Sequence, residues 1–444
     1  MRIAHINVVS SLSTGRIAVA LCRMVQSSGH RALLCHARDH APTDVPSLVI
    51  GSKLDTWLHA GLSRVTDRAG FYSRRATRKL IRQLESYKPD LVHLHNLHGY
   101  YLHLPTLFAY LKKHDMPVVW TLHDCWAYTG HCAYYTTAKD APSLSPQKRR
   151  RAETHTVGCE RWLGGCGECV LKRSYPASLV MDQSARNWLE KRSLFNGLSH
   201  MVLTTPSEWL RDEVKRSFLK DYPVYVLPNG LDLNAFQPCA SDDFMHEIVR
   251  SYGLERTEGR RLVLSVAAVW DDRKGLEDLI VLAEELGDEY CVAAVGVDQY
   301  QMEILEKNKV MGVRRTGNLN DLCALYTAAD VYVSVSHEET MGMTLLEALA
   351  CGTQVICYNA TAMPEIVTDE CGAVVPLGDI PAVADAVRSL CDQPKPSSAC
   401  RARAAEYDSD KRFAGYMRLY ENMDRHSPAY REALAEAEKK TREE

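Results

Sequence analysis

The chain lacks any apolar run approaching the roughly eighteen residues that span a bilayer as a helix, so a membrane-spanning architecture is not expected. It also lacks a basic stretch interleaved with aromatics, which argues against nucleic acid as a partner. No internal sequence repeat is visible. Asp-x-Asp occurs once, as Asp408-Ser409-Asp410, at the start of the last helical pattern. Aspartate is favoured there as a helix cap, and that is how we read it. The amino-terminal stretch Met1–Ser10 alternates apolar and polar residues before a Ser/Gly loop. This reads as a first buried strand rather than a cleaved signal, and points to a cytoplasmic protein.

What the sequence has is ordinary in composition and uneven in charge. Its 444 residues suggest two or three domains, with 46% hydrophobic and 25% charged residues. Residues 1–236 carry 31 Lys and Arg against 19 Asp and Glu; the remainder carries 22 against 37, so the formal charge of −3 hides a basic half and an acidic half. The basic half suits an anionic membrane surface, such as the inner face of the plasma membrane, or a phosphate-bearing acceptor. Two solvated surfaces of opposite sign are the alternative. Fifteen cysteines are many for a cytoplasmic chain. Cys291, Cys351 and Cys357 sit singly in apolar surroundings and read as small core residues.

Twelve short apolar, β-rich runs alternate with helical patterns. They are Ile3–Val9, Ala32–His36, Leu91–His95, Val118–Leu122, Met201–Thr205 and Val224–Leu227, then Leu262–Val269, Cys291–Val295, Val313–Thr316, Val331–Val335, Gln354–Cys357 and Ala373–Val375. Continuous apolar strands alternating with helices imply parallel sheets covered on both faces. Twelve strands exceed one open sheet of usual size, so the expected class is α/β with two doubly wound, Rossmann-like domains facing across a cleft. The turn Pro228-Asn229-Gly230 marks the break. The expected division is 1–230, with a cysteine-rich insertion at 125–170; a linker at 231–260; a second domain at 261–400; and 401–444, a helix packing back toward the first domain and a charged tail. Aromatic anchors in that last part are Phe413, Tyr416 and Tyr420.

Ligands of open α/β sheets bind beyond the carboxyl ends of the strands. After Val331–Val335 the chain reads Ser336-His337-Glu338-Glu339-Thr340-Met341-Gly342-Met343-Thr344-Leu345-Leu346-Glu347-Ala348. A helix starting near Gly342 would offer free N–H groups to an anion such as a diphosphate. Glu339 falls in the loop before it and Glu347 about one and a half turns into it. Two carboxylates so placed suit the hydroxyls of a ribose and a hexose; a helix-terminal acid plus a surface acid is the plainer reading. Arg273 and Lys274 follow Leu262–Val269 at a strand-to-helix turn and suit a diphosphate, or else form a surface basic pair.

Taken together these segments resemble glycosyltransferase family four, the GT-B group of retaining enzymes. The carriers are Glu339-x7-Glu347 followed by Ala348-Leu349-Ala350-Cys351-Gly352-Thr353, the inter-domain Pro228-Asn229-Gly230-Leu231-Asp232, the turn Arg273-Lys274-Gly275 and the loop Ser13-Thr14-Gly15-Arg16. The resemblance covers nearly the whole chain. It implies a nucleotide-sugar donor and a polysaccharide, lipid-linked oligosaccharide or other glycolipid acceptor. It assigns Glu339 to the donor sugar, Glu347 to the ribose, and Lys274 with Arg273 to the departing diphosphate. The backbone from Thr340 through Met341, Gly342 and Met343 would cradle sugar and phosphate, with Gly15 nearby. No catalytic divalent metal is implied. Two positions depart from the pattern. Val269 stands where a basic residue is usual, and Met341 where an aromatic is usual.

In the first half, His95 and His123 end adjacent strands, and the Thr121-x-His123-Asp124 segment resembles the family's acceptor-side motif. The resemblance places His123 near the reacting centre, to orient the acceptor or assist proton transfer, with Asp124 holding its ring and His95 beside it. Cys125, His131, Cys132, His155, Cys159, Cys166 and Cys169 cluster within a long connection. Cys166-Gly167-Glu168-Cys169 has a zinc-ligand spacing, and Cys132 and Cys159 would complete a closed, structural four-thiolate site. Free thiols and disulfides are the alternatives, the latter disfavoured in a reducing compartment. Two rival functions stay open: a GT-B sugar-nucleotide epimerase, and a nucleotide-sugar-binding protein without catalysis.

Overall fold

The computed structural model describes residues 1–136, 158–254 and 260–424. These form two compact units. One comprises Met1–Tyr135, Cys159–Asn229 and the described residues from Arg412 on; the other includes Gly230–Lys411. The charged tail and His155 lie outside the described residues.

The first unit holds a fully parallel seven-stranded sheet. Its strands are β1 (Arg2–Ile6), β2 (Arg31–His36), β3 (Ser47–Val49), β4 (Leu91–Leu94), β5 (Val118–Thr121), β6 (Met201–Thr205) and β7 (Val224–Val226), in the order β3-β2-β1-β4-β5-β6-β7. Helices α1 (Leu12–Ser27), α2 (Lys53–Thr66), α3 (Arg74–Tyr87), α4 (Leu104–Lys113), α5 (Ser184–Phe195) and α6 (Glu208–Arg216) connect them. Strand periodicity sorts the side chains into two cores. Ala4, Ile6, Val92, Leu94, Val118 and Trp120 face one side. Ile3, Leu91 and Val119 face the other, where α1 and Phe413, Tyr416 and Tyr420 cover them.

The second unit begins with α7 (Asp242–Ser251) and holds a parallel six-stranded sheet. Its strands are β8 (Arg261–Val266), β9 (Tyr290–Val295), β10 (Met311–Val313), β11 (Val331–Ser334), β12 (Val355–Tyr358) and β13 (Gly372–Val375), in the order β10-β9-β8-β11-β12-β13. Helices α8 (Leu276–Leu286), α9 (Gln299–Lys307), α10 (Leu319–Ala328), α11 (Met343–Ala350), α12 (Ile380–Asp392) and α13 (Ser397–Ala405) complete it. Cys291, Cys351 and Cys357 are core residues here.

All twelve expected strands are present, with ends shifted by a few residues. The sequence reading missed β3, a three-residue edge strand that is largely exposed and carries too little apolar pattern to detect. The final helical pattern is broken into α13 and α14 (Ser409–Met423). Asp408 caps the second of these, accepting the N–H of Asp410 at 3.1 Å and of Lys411 at 3.2 Å.

Candidate active site

Each sheet reverses its strand order at one point, β1/β4 in the first unit and β8/β11 in the second. Crevices open at the carboxyl ends of such neighbouring strands. In the second unit β8 and β11 are in register from Val263↔Val331, so the segments that leave them run side by side. The first forms a 3₁₀ turn, Asp272–Lys274; the second leads through Glu339 into α11. They are laced together. The His337 N–H donates to the Arg273 carbonyl at 2.7 Å, and Arg273 Nη1 donates to the Glu338 carbonyl at 3.0 Å.

Gly275 makes this approach possible. It is left-handed, with φ at +71°, and a Cβ there would lie 2.1 Å from the Val335 carbonyl oxygen. The close turn carries Lys274 onto Glu339, where its Nζ donates to Oε1, while Arg273 Nη1 lies 3.7 Å from Oε2. Burial alone would raise the Glu339 carboxyl. The charges of Lys274 and Arg273, with hydrogen bonds from Lys274 and Ser336, outweigh it and hold the group below the usual carboxylate range. Thr361 fixes the Glu339 backbone, accepting its N–H and donating to its carbonyl, both at 2.9 Å.

Helix α11 starts at Met343 with Gly342 as its cap, φ 88°, and no side chain caps it. The start of such a helix carries the positive end of the helix dipole. Met341 is buried. Glu347 is also buried, and its Oε2 accepts the Tyr326 hydroxyl at 3.0 Å. Two supports escaped the sequence reading. Tyr326 is one. The other is Asp278 on α8, whose Oδ2 takes His337 Nε2 at 2.6 Å and the Tyr358 hydroxyl at 3.0 Å, bracing the loop that carries Glu339. Neither residue follows a strand end, so position gave no signal.

In the first unit His95 and His123 line a small recess with Asn96, His98, Asp124 and Trp126. His95 Nδ1 and His123 Nε2 are 3.1 Å apart, and His5 Nδ1 lies 3.3 Å from His95 Nε2. Burial lowers His123 to about 4 and His5 to about 3, and holds His95 and His93 well below the ordinary value. These imidazoles are neutral near pH 7, so one N–H per ring sets a single donor direction along the row. His93 is held by the Tyr420 hydroxyl at 2.6 Å and by Thr121 at 2.7 Å.

Two expectations are revised here. Asp124 was expected to hold His123; instead its Oδ2 pairs with His98 Nε2 at 2.7 Å and its Oδ1 accepts the Trp126 N–H at 2.9 Å. Burial would raise its carboxyl, but His98 and that N–H keep it low. Gly15 was expected in a loop; α1 already begins at Leu12, which puts Gly15 in the first turn. A Cβ at Gly15 would meet the Ser10 carbonyl carbon at 2.7 Å, so packing against the loop between β1 and α1 explains the glycine. Of the cysteines expected to hold a structural metal, Cys132 is buried and Cys159, Cys166 and Cys169 are half-buried. Among the described residues only His5, His93 and His95 bring three metal-ligating atoms within 4.8 Å of one another. Cys166 Sγ accepts the Gly130 N–H at 3.2 Å.

The fold matches that of solved GT-B glycosyltransferases. Sucrose-phosphate synthase from Thermosynechococcus elongatus aligns with a TM-score of 0.64 at 16% identity, over 95% of this chain and 98% of that one. Alr3699/HepE of Anabaena, solved in complex with UDP-glucose, gives 0.63 at 15% over 95% and 99%. In sequence, residues 14–235 match Glycosyltransferase Family 4 and residues 253–407 match Glycosyl transferases group 1. The chain belongs to glycosyltransferase family 4. WcaC of Escherichia coli K12, which bears the name of a colanic acid biosynthesis glycosyl transferase, is 24% identical over 76% of this chain and 77% of its own length. The alpha-monoglucosyldiacylglycerol synthase of Streptococcus pneumoniae is 28% identical over 40% of this chain and 42% of its own.

Proposed function

We propose that this glycosyltransferase moves a sugar, with retention of configuration, from a nucleotide diphosphate sugar to a polysaccharide or lipid-linked acceptor. The observation that carries this reading is the placement of two cations, Lys274 and Arg273, on the Glu339 carboxylate beside the uncapped start of α11. Cations and helix N–H groups suit a diphosphate, and a carboxylate beside them suits sugar hydroxyls. The names of WcaC and of the pneumococcal synthase support an acceptor in glycan or glycolipid assembly.

In this reading Lys274 and Arg273 neutralise charge as it grows on the departing diphosphate. Both are fixed before substrate arrives, so little reorganisation is needed at the moment of reaction. The backbone from Met341 through Gly342 to Met343 cradles the sugar and phosphate. Glu339 accepts hydrogen bonds from the donor sugar, and Glu347 exchanges its contact with Tyr326 for one with the ribose. The acceptor hydroxyl attacks from the leaving group's own face. Its proton passes to the diphosphate oxygen as the sugar–oxygen bond breaks. Neutral His123 orients that hydroxyl. With two fixed cations on the leaving group, the scheme requires no divalent metal.

For the cysteine-rich segment the proposal is a structural zinc held by Cys132, Cys159, Cys166 and Cys169. It rests on the ligand spacing of Cys166-Gly167-Glu168-Cys169, with Cys132 and Cys159 to complete the set.

The test is a panel of nucleotide sugars, measured for binding and acceptor-free hydrolysis, with the unaltered protein beside Glu339→Ala. Binding of at least one donor, weakened in the variant, is expected. Binding of none would remove the proposal. Conversion of the donor's sugar to its epimer without acceptor would favour the epimerase.

A further inference from the structure

Helix α2 is inverted relative to an ordinary surface helix. Its buried face is polar, His59 and Ser63. His59 reaches the Ser73 hydroxyl at 2.8 Å and accepts the Gly70 N–H at 3.2 Å. Its outer face is apolar: Leu54, Trp57, Leu58, Leu62 and Val65 are 64%, 72%, 48%, 47% and 50% exposed. Their spacing of three or four residues makes one continuous stripe along the helix. The stripe does not end with the helix. Leu179 donates its N–H to the Arg64 carbonyl at 2.7 Å and Met181 to that of Val65 at 3.0 Å, which sets a second exposed apolar segment, Leu179–Met181, against the end of α2.

The flank of this patch is basic. Ser73, which contacts the middle of α2, opens α3, and α3 exposes Arg74, Arg75, Arg78, Lys79 and Arg82. None of the five makes an ion pair with another described residue. On α2 the one acidic side chain, Asp55, is occupied by the Ser52 capping box.

We propose that α2 and the Leu179–Met181 turn dock on an anionic lipid surface. The apolar stripe enters the boundary between headgroups and acyl chains, and the α3 arginines meet lipid phosphates. A continuous exposed stripe with a tryptophan and a cationic flank is the pattern of a helix lying in a membrane interface. The charge selects lipid phosphate over a neutral apolar partner. None of these residues belongs to the donor-handling groups, so the inference goes beyond the proposed transfer and does not depend on it.

The test is sedimentation of the full chain with vesicles of phosphatidylcholine, with and without phosphatidylglycerol, at low and moderate salt. The unaltered protein should bind the anionic vesicles at least about tenfold more tightly, with the difference shrinking as salt rises. Trp57→Ser with Leu58→Ser should weaken binding at least about tenfold. Arg74→Ser, Arg75→Ser and Arg78→Ser together should lose about fivefold per charge. All positions are exposed, so thermal unfolding and donor hydrolysis should be unchanged, and Leu54→Ser with Leu62→Ser serves as the second apolar variant. No binding by the unaltered protein, or equal binding by these variants, would overturn the proposal. So would a dimer that Trp57→Ser converts to monomer, because the stripe would then belong to a second copy.

Discussion

Lys274 donates from Nζ to Oε1 of Glu339, although 65 residues separate them in sequence. Strand order makes the contact: β8 and β11 are neighbours, and Gly275 lets the two exit loops touch. Both side chains are about 15% exposed, so neither charge is left to water alone. Removing Lys274 leaves the Glu339 carboxylate with Arg273 at 3.7 Å. Lys274→Ala should cost about 1–3 kcal/mol of stability, and Glu339→Ala a similar amount. The double variant should cost less than the sum, with a coupling of at least about 1 kcal/mol. Chemical denaturation of the four proteins measures this, and strict additivity would show that the pair does not act as a unit.

Gly275→Ala tests the turn itself. The substitution requires a left-handed alanine and a Cβ 2.1 Å from the Val335 oxygen, so the loops must separate. A loss of at least about 1–3 kcal/mol is expected, with weakened donor binding because Lys274 moves off Glu339. An unchanged melting temperature and unchanged donor affinity would mean the close approach is not needed.

The buried imidazoles predict acid sensitivity. His5 and His123 are lowered to about 3 and about 4 by burial, and His93 and His95 lie well below the ordinary value. The unfolded chain binds protons on these groups below about pH 6.5, whereas the folded chain does not. Their stability contribution is therefore fully present above that pH and is lost as pH falls through 6 and 5 toward the folded values. The slope approaches about 1.4 kcal/mol per histidine per pH unit. Denaturant midpoints between pH 7 and 5 should drop steeply; a flat profile there would contradict neutral burial.

Elemental analysis of the purified full chain tests the zinc proposal. About one zinc per chain is expected, with loss on substituting Cys166. A content below about a tenth of an ion per chain would leave Cys166 as a thiol that accepts the Gly130 N–H.

Much of the fold was legible because buried parallel strands are continuous apolar runs, as in Val331–Val335. Glu339, Lys274 and Arg273 were legible because they follow such runs directly. Their contact was not, since it depends on which strands are neighbours. Asp124 was assigned to His123 by sequence adjacency, while the fold brings His98 to it. Tyr326 and Asp278 sit within helices and carry no positional signal. The α2 stripe was hidden for a different reason. Leu54, Trp57, Leu58, Leu62 and Val65 have the spacing of a core-facing helix, and only the structure shows that His59 and Ser63 face inward instead.

The central claim is that Lys274 stabilises charge developing on a departing diphosphate. Donor affinity and turnover of Lys274→Ala, measured with the same nucleotide sugar and acceptor, test it most directly. The account predicts turnover lower by about 10²–10³-fold with donor affinity changed far less, because the interaction strengthens in the transition state. A variant that loses affinity by that factor and keeps its turnover would contradict it.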